Sequence, residues 1–286
     1  MDDARRLMAV LAHPDDESLG VGGTLARYAA SGAETYLVTA TRGERGRYFT
    51  NESRPDDQEV GRMREAELRA AARELGVREV ALLGYTDGTL DRADPGQAIG
   101  QIVQHLRRVR PQVVITFDPF GAYGHPDHVA ICQYTTAAVV AAADPAFDSG
   151  EAAPHCVAKL YYLVMGDAGW AAYQAAFKTL VSTVDGAARH AVAWPAWAIS
   201  ARIDTRDRWE VVWRAVQRHE TQLAVYQRLG ELTPEHHAAL WGEQTFYRAL
   251  SLVNGGRELE TDLFAGVQEA SRIPQPETNH GREAPV

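Results

Sequence analysis

The first 165 residues alternate short apolar runs with amphipathic stretches, and that rhythm restricts the fold more than any other feature of the chain. Residues 7–12 form an unbroken apolar run that ends in polar residues, as a strand buried on both faces would. Residues 17–31 then read as a helix stopped by Gly32, and 35–40 as a second strand. The polar, Gly- and Arg-rich residues 42–57 read as a long loop. Residues 59–75 carry Val60, Met63, Leu68, Ala71, Ala72 and Leu75 at helical spacing and end at Gly76. Further strands are expected at 80–83, 113–117 and 160–164, with helices at 97–109 and 129–143. Such alternation predicts an α/β fold, a mostly parallel sheet with helices on both faces.

Beyond residue 166 the rhythm changes. All six tryptophans lie between Trp170 and Trp241, and residues 206–227 and 234–252 each read as one helix, the second opened by Thr233-Pro234. The expected organisation is a core over 1–166, a mostly helical C-terminal extension of the same domain over 167–270, and a loose, Pro-containing tail over 271–286. With 45% apolar residues, a sizeable core is available. Lys+Arg 29 against Asp+Glu 38 leave a formal net charge of −9, which argues against broad binding to nucleic-acid phosphates. No apolar run approaches the ~20 residues of a membrane span. The apolar run before His13 is too short for a signal-peptide core, and Cys132 and Cys156 supply no disulfide framework. A cytoplasmic protein is expected, and aromatic residues in the later half would suit a homo-oligomer surface.

Two segments carry the chemistry. His13-Pro14-Asp15-Asp16-Glu17 follows the first expected strand, and Gly124-His125-Pro126-Asp127-His128 follows the fourth. Composition alone yields a His-Pro-Asp triplet roughly 0.03 times per chain of this kind. Both copies sit beyond the carboxyl ends of strands, where open α/β sheets bind ligands. His13 and Asp16 can converge on one point, and a second imidazole from His125 or His128 completes a His/His/carboxylate set suited to a catalytic divalent ion. Asp15, beside Asp16, is then placed to act as general base, and the remaining histidine to donate to an oxyanion or protonate a leaving amine. The competing reading is that each triplet merely caps the helix after it.

These residues resemble the PIG-L/LmbE-type zinc-dependent N-acetylglucosaminyl deacetylases, which include mycothiol- and bacillithiol-pathway enzymes. The likeness rests on Ala12–Glu17 and Gly124–His128 (residues 12–17 and 124–128), and extends to residues 38–46, 64–68 and 75–77 and to Asp87-Gly88. It spans roughly residues 6–165. The resemblance implies a Rossmann-like sheet and one divalent metal, usually zinc, held by His13, Asp16 and His128, while such an N/O ligand set by its chemistry accepts iron(II) as well. It further implies Asp15 as base, His125 as acid or carbonyl-polarising group, Tyr123 as an oxyanion donor, and Arg64 and Asp87 as sugar-hydroxyl ligands. The activity it implies is removal of acetyl from an N-acetylglucosamine-type amino sugar or its glycoconjugate. An amidase or deacylase acting on a thiol-sugar conjugate is the alternative, and a non-catalytic sugar-binding protein the bland one.

Other signals are weaker. His219-Glu220-Thr221-Gln222 resembles a His-x-x-Gln segment of that family, whose histidine can approach the site; otherwise His219 is a surface or packing residue. Gly20-x-Gly22-Gly23 invites comparison with a dinucleotide fingerprint, but His13–Glu17 (residues 13–17) occupies the turn that such a fingerprint needs. His236-His237 reads as an exposed helical pair, and the tryptophans as core or interface anchors.

Overall fold

The structure is a computed structural model that describes residues 4–46, 48, 53–150, 152–176, 181–184, 186–223, 227–256 and 258–267. Five strands, β1 (Arg6–Leu11), β2 (Glu34–Thr41), β3 (Glu79–Tyr85), β4 (Val113–Phe117) and β5 (Lys159–Val164), alternate with four helices of three turns or more. These are α1 (Asp16–Ala30), α2 (Asp57–Glu74), α3 (Pro95–Val109) and α5 (Pro126–Ala143), and α4 (Gly121–Gly124) is a single strained turn before α5. All five strands run parallel, in the order β3-β2-β1-β4-β5. Leu7 to Leu11 are each at most 1% exposed, which explains why β1 reads as continuously apolar rather than alternating. Asp56 and Asp94 cap α2 and α3 by accepting from the backbone N–H three residues on, at 2.8 Å each.

The extension after residue 166 contains α6 (Asp167–Ala176), α7 (Trp209–Gln217), α8 (Gln227–Gly230) and α9 (Pro234–Trp241), but it is less helical than its sequence suggests. It also supplies a hairpin of β6 (Val181–Val184) and β7 (Ala187–His190), and two strands, β8 (Ala201–Asp204) and β9 (Glu243–Ser251). The expected helix over 234–252 ends at Trp241. Beyond Gly242 the chain turns into β9, which pairs antiparallel with β5 and carries β8 on its far side. Fully buried Phe246 shows what decides this: the open edge of β5 needs a partner, and the Thr245-Phe246-Tyr247 stretch suits a pleated surface better than a helix. The expected helix over 206–227 is likewise broken. It begins as a 3-10 turn, is α-helical only over α7, and gives way at His219 to a second 3-10 turn, Glu220–Gln222. Residues 224–226 and the tail expected over 271–286 lie outside the described residues.

In strand order β3-β2-β1-β4-β5-β9-β8, the direction of winding reverses between β1 and β4. A crevice opens at such a switch point beyond the strand ends. The segments carrying the two His-Pro-Asp triplets leave β1 and β4, so the topology sets them side by side. Among the described residues no helix is long and apolar enough to cross a membrane.

Candidate active site

The chain after β1 turns sharply at Asp15, which holds a φ of 103° in the left-handed region. Three contacts fix this turn. The Arg64 guanidinium donates to the Pro14 carbonyl (2.6 Å) and to Asp15 Oδ2 (3.2 Å), and the Asp15 N–H donates to Glu17 Oε2 (3.0 Å). Asp16 opens α1 with its carboxylate turned back, where Oδ2 accepts the N–H of Ala12 (3.2 Å) and of His13 (2.8 Å). After β4, the loop is shaped by Asp118, which is buried. Its carboxylate accepts the Ala122 N–H (2.8 Å) and the Trp194 indole N–H (2.6 Å), and Ala122 sits at φ 62°, ψ −68°. Gly121 lets this loop close on α5, since a Cβ there would stand 2.9 Å from the Val129 nitrogen and 3.0 Å from His128 Cβ. α5 begins at Pro126, earlier than expected, so His128 projects from its first turn.

Three donor groups then converge. His13 Nδ1 lies 3.2 Å from His128 Nε2, Asp16 Oδ2 lies 3.6 Å from His13 Nδ1, and Asp16 Oδ1 lies 3.5 Å from His128 Nε2. Ligand atoms about 2.1 Å from a tetrahedral ion stand about 3.4 Å apart, so the spacing fits one small divalent cation. The opposite edge of His13 supports the same conclusion. Its Nε2 faces Asp127 Oδ2 (3.1 Å) and Asp87 Oδ1 (3.2 Å), which places the ring proton there and leaves the Nδ1 lone pair turned toward His128 and Asp16. Asp127 is itself held by the N–H groups of Gly88 (2.7 Å) and Leu90 (3.0 Å), and Asp87 by that of Arg45 (3.1 Å).

Electrostatics sort these groups. Burial pushes His128 down to about 3, so it is neutral near pH 7 and offers a lone pair. Burial also opposes charge on His13, but hydrogen bonds to Asp127, Asp16 and Asp87 outweigh it and raise the ring well above its ordinary value, so a divalent cation would bind at Nδ1 by displacing a second proton from it. Burial likewise works against the Asp16 carboxylate, and the adjoining His128 and His13 imidazoles, with the hydrogen bonds that His13 donates, outweigh it and hold the group below its ordinary range. The carboxylates around His13 thus favour positive charge at this point.

His125 lies half-buried beside the triad, its ring 4.8 Å from that of His13 and 4.9 Å from that of His128. Its Nδ1 accepts the Asp127 N–H (3.2 Å), so the neutral ring keeps its proton on Nε2, a form able to donate to a developing oxyanion. Tyr123 meets His128 and His125 edge-to-face at 5.5 and 6.1 Å, and burial raises its phenol, which keeps the O–H protonated. The site residues expected from the sequence are therefore grouped beyond the ends of β1 and β4, Asp87 joined to the group through His13 and Arg64 through Asp15. Arg64 and Asp87, however, direct the hydrogen bonds above to the turn at Asp15 and to His13, and the Arg64 side chain is only 4% exposed.

The sequence reading left Asp127, Asp118 and Glu17 without roles. The two segments did contain Asp127 and Glu17, without a partner to give either a role; nothing local marked Asp118. His219 is fully buried against Glu17 rather than at the surface. His237 is buried as well, stacked among Trp209, Trp213 and Trp241, which corrects the expectation of an exposed pair. Trp197 is 87% exposed, so it is no core anchor. Gly20 and Gly23 lie inside α1 and admit Leu163 and Thr205 to within 2.8 Å of where a Cβ would stand, a packing role and not a phosphate-binding one.

An α/β sheet with two imidazoles and a carboxylate converging at its switch point, and a second carboxylate alongside, defines a metal-dependent hydrolase type of centre. Comparison with known proteins narrows this class. A sequence model of the PIG-L family, described as GlcNAc-PI de-N-acetylase, matches residues 8–139. The 1D-myo-inositol 2-acetamido-2-deoxy-alpha-D-glucopyranoside deacetylase of Streptomyces griseus is 37% identical over 303 residues, covering 94% of this chain and 91% of that protein. Among solved structures, the conserved protein TT1542 from Thermus thermophilus superposes with a TM-score of 0.60 at 27% identity, covering 87% of this chain and 96% of that one. The N,N'-diacetylchitobiose deacetylase of Pyrococcus horikoshii shares the fold, with a TM-score of 0.63 at 20% identity over 86% of this chain and 84% of that one. The chain belongs to the PIG-L family of de-N-acetylases.

Proposed function

We propose that this protein is a zinc-dependent N-deacetylase that releases acetate from an N-acetylglucosamine-type glycoconjugate, with the inositol glycoside named for its Streptomyces griseus relative as the first substrate to test. The observation that carries this reading is the convergence of His13 Nδ1, Asp16 and His128 Nε2 within 3.2–3.6 Å of one another. In it, these three side chains hold the ion. Zinc and iron(II) both suit such an N/O donor set. When bound, a divalent ion supplies Lewis acidity, both to water and to the amide carbonyl.

The chain's own residues do the rest. Asp15 takes a proton from the water whose oxygen adds to the acetyl carbon. His125, through Nε2–H, and Tyr123, through its O–H, stabilise the carbonyl oxygen as it gains charge. The C–N bond then breaks as the proton taken up by Asp15 passes to the departing nitrogen, leaving acetate and a free amino sugar and returning Asp15 to its carboxylate. Arg64 and Asp87 act from behind, Arg64 holding the turn of Asp15 and Asp87 the ring of His13. Residues 1–166 form the catalytic core in this reading, and 167–270 extend the same domain, as the pairing of β9 with β5 supports.

Acetate and amine release from a panel of N-acylated amino sugars, after zinc reconstitution, tests the proposal. Wild type is expected to release acetate, and Asp15→Asn to keep its zinc while kcat falls by roughly 10²–10⁴. Wild-type turnover in Asp15→Asn would remove Asp15 as the base, and release of a larger acyl or cysteinyl group in preference to acetate would replace the deacetylase by an amidase.

A further inference from the structure

Glu17 and His219, 202 positions apart in sequence, are both fully buried, and neither serves as metal ligand or base. The two carboxylate oxygens of Glu17 have different partners. Oε2 accepts the backbone N–H of Asp15 (3.0 Å). Oε1 accepts from His219 Nε2 (2.8 Å) and from the Ser18 hydroxyl (2.5 Å). His219 stands where α7 ends and the Glu220–Gln222 turn begins, and that turn is fastened to α2. There the Glu67 carboxylate accepts both the N–H (2.7 Å) and the hydroxyl (2.8 Å) of Thr221. The imidazole thus comes from the extension, its turn fastened to the core through Glu67, and it presents a donor to a carboxylate that grips the backbone of Asp15. That grip matters because a φ of 103° in a residue with a Cβ persists only where the surroundings over-determine it.

We propose that His219 is a positioning residue for Asp15: by orienting Glu17 it fixes the backbone of the base, so the C-terminal extension sets the geometry of a turn in the core. The inference rests on the reading of Asp15 as the base. A small displacement of a reacting group costs rate far more than binding, so the effect belongs in kcat.

His219→Leu removes the donor at similar bulk, and His219→Gln keeps an N–H within reach of Glu17. Zinc content, the thermal midpoint, kcat and KM for the inositol glycoside are measured for both. We expect His219→Leu to keep full zinc and a KM within about threefold of wild type while kcat falls about 10- to 100-fold, and His219→Gln to recover most of that loss. Should His219→Leu not fold, His219→Asn, whose amide stops short of Glu17, takes its place with the same expected loss. Unchanged kcat, or a loss that only follows zinc or fold and is not recovered by glutamine, would overturn the proposal. Asp15→Asn run in parallel separates the two claims. If it is inactive while His219→Leu is unaffected, only the positioning role fails; if it turns over normally, the base assignment fails and takes this inference with it.

Discussion

The second His-Pro-Asp triplet does two things at once. His125 accepts the Asp127 N–H at the start of α5 and Pro126 occupies the first helical position, so the triplet is a helix cap. The same geometry turns His128 toward Asp16 and Asp127 toward His13. Capping and chemistry, rivals in the sequence, are one arrangement in the fold. In the first triplet no side-chain cap forms, and the Asp15 carboxylate pairs with Arg64 instead. Away from the site, His155 gives a residue-scale test. It is buried with Nε2 donating to the Pro111 carbonyl at 2.8 Å, and burial pushes it down to about 4 from an ordinary 6.5. Between those values the unfolded chain binds the proton and the folded one does not. The contribution is therefore whole above pH 6.5 and is lost as pH falls toward 4. Denaturant titrations at pH 7 and pH 5 should show wild type losing about 2 kcal/mol more than His155→Gln, which can still donate to Pro111. Equal losses in the two proteins would contradict this.

Among the elements, α1 shows how far local sequence can be read. Its start, its stop at Gly32 and its place after β1 were all legible, because helix periodicity and a glycine stop are local signals. The purpose of its internal glycines was not, since the groups they admit come from far along the chain. A Cβ on Gly23 would stand 2.8 Å from Thr205 Cβ, and Thr205 cannot retreat easily because its hydroxyl donates to the Trp241 carbonyl (2.5 Å). Alanine favours a helix over glycine by about 1 kcal/mol, yet Gly23→Ala is expected to lower stability by about 1–3 kcal/mol, overpacking winning over propensity. A higher thermal midpoint in Gly23→Ala would show that the contact yields. The misreading of residues 243–251 has the same origin: β9 is a strand because the edge of β5 is there to receive it, which no window of nine residues can reveal. Asp118 and Glu17 went unassigned for that reason too, their partners Trp194 and His219 lying 76 and 202 positions away.

For the molecule as a whole, the order β3-β2-β1-β4-β5 reverses at β1/β4, and this single topological fact makes two segments 115 residues apart into neighbours. The strand rhythm made the sheet legible, and the repeated triplet at two strand ends made the site legible before any geometry was known. What the extension adds is closure and support: β9 and β8 complete the sheet, Trp194 braces the loop after β4, and His219 backs the turn after β1. Activity is expected to depend on one ion held by two histidines and an aspartate from those two segments. Crystals grown with zinc and measured at its absorption edge test this directly. The expected result is a single anomalous peak about 2.0–2.2 Å from His13 Nδ1, an Asp16 oxygen and His128 Nε2. A crevice without such a peak in zinc-saturated crystals, or a peak on other side chains, would contradict it.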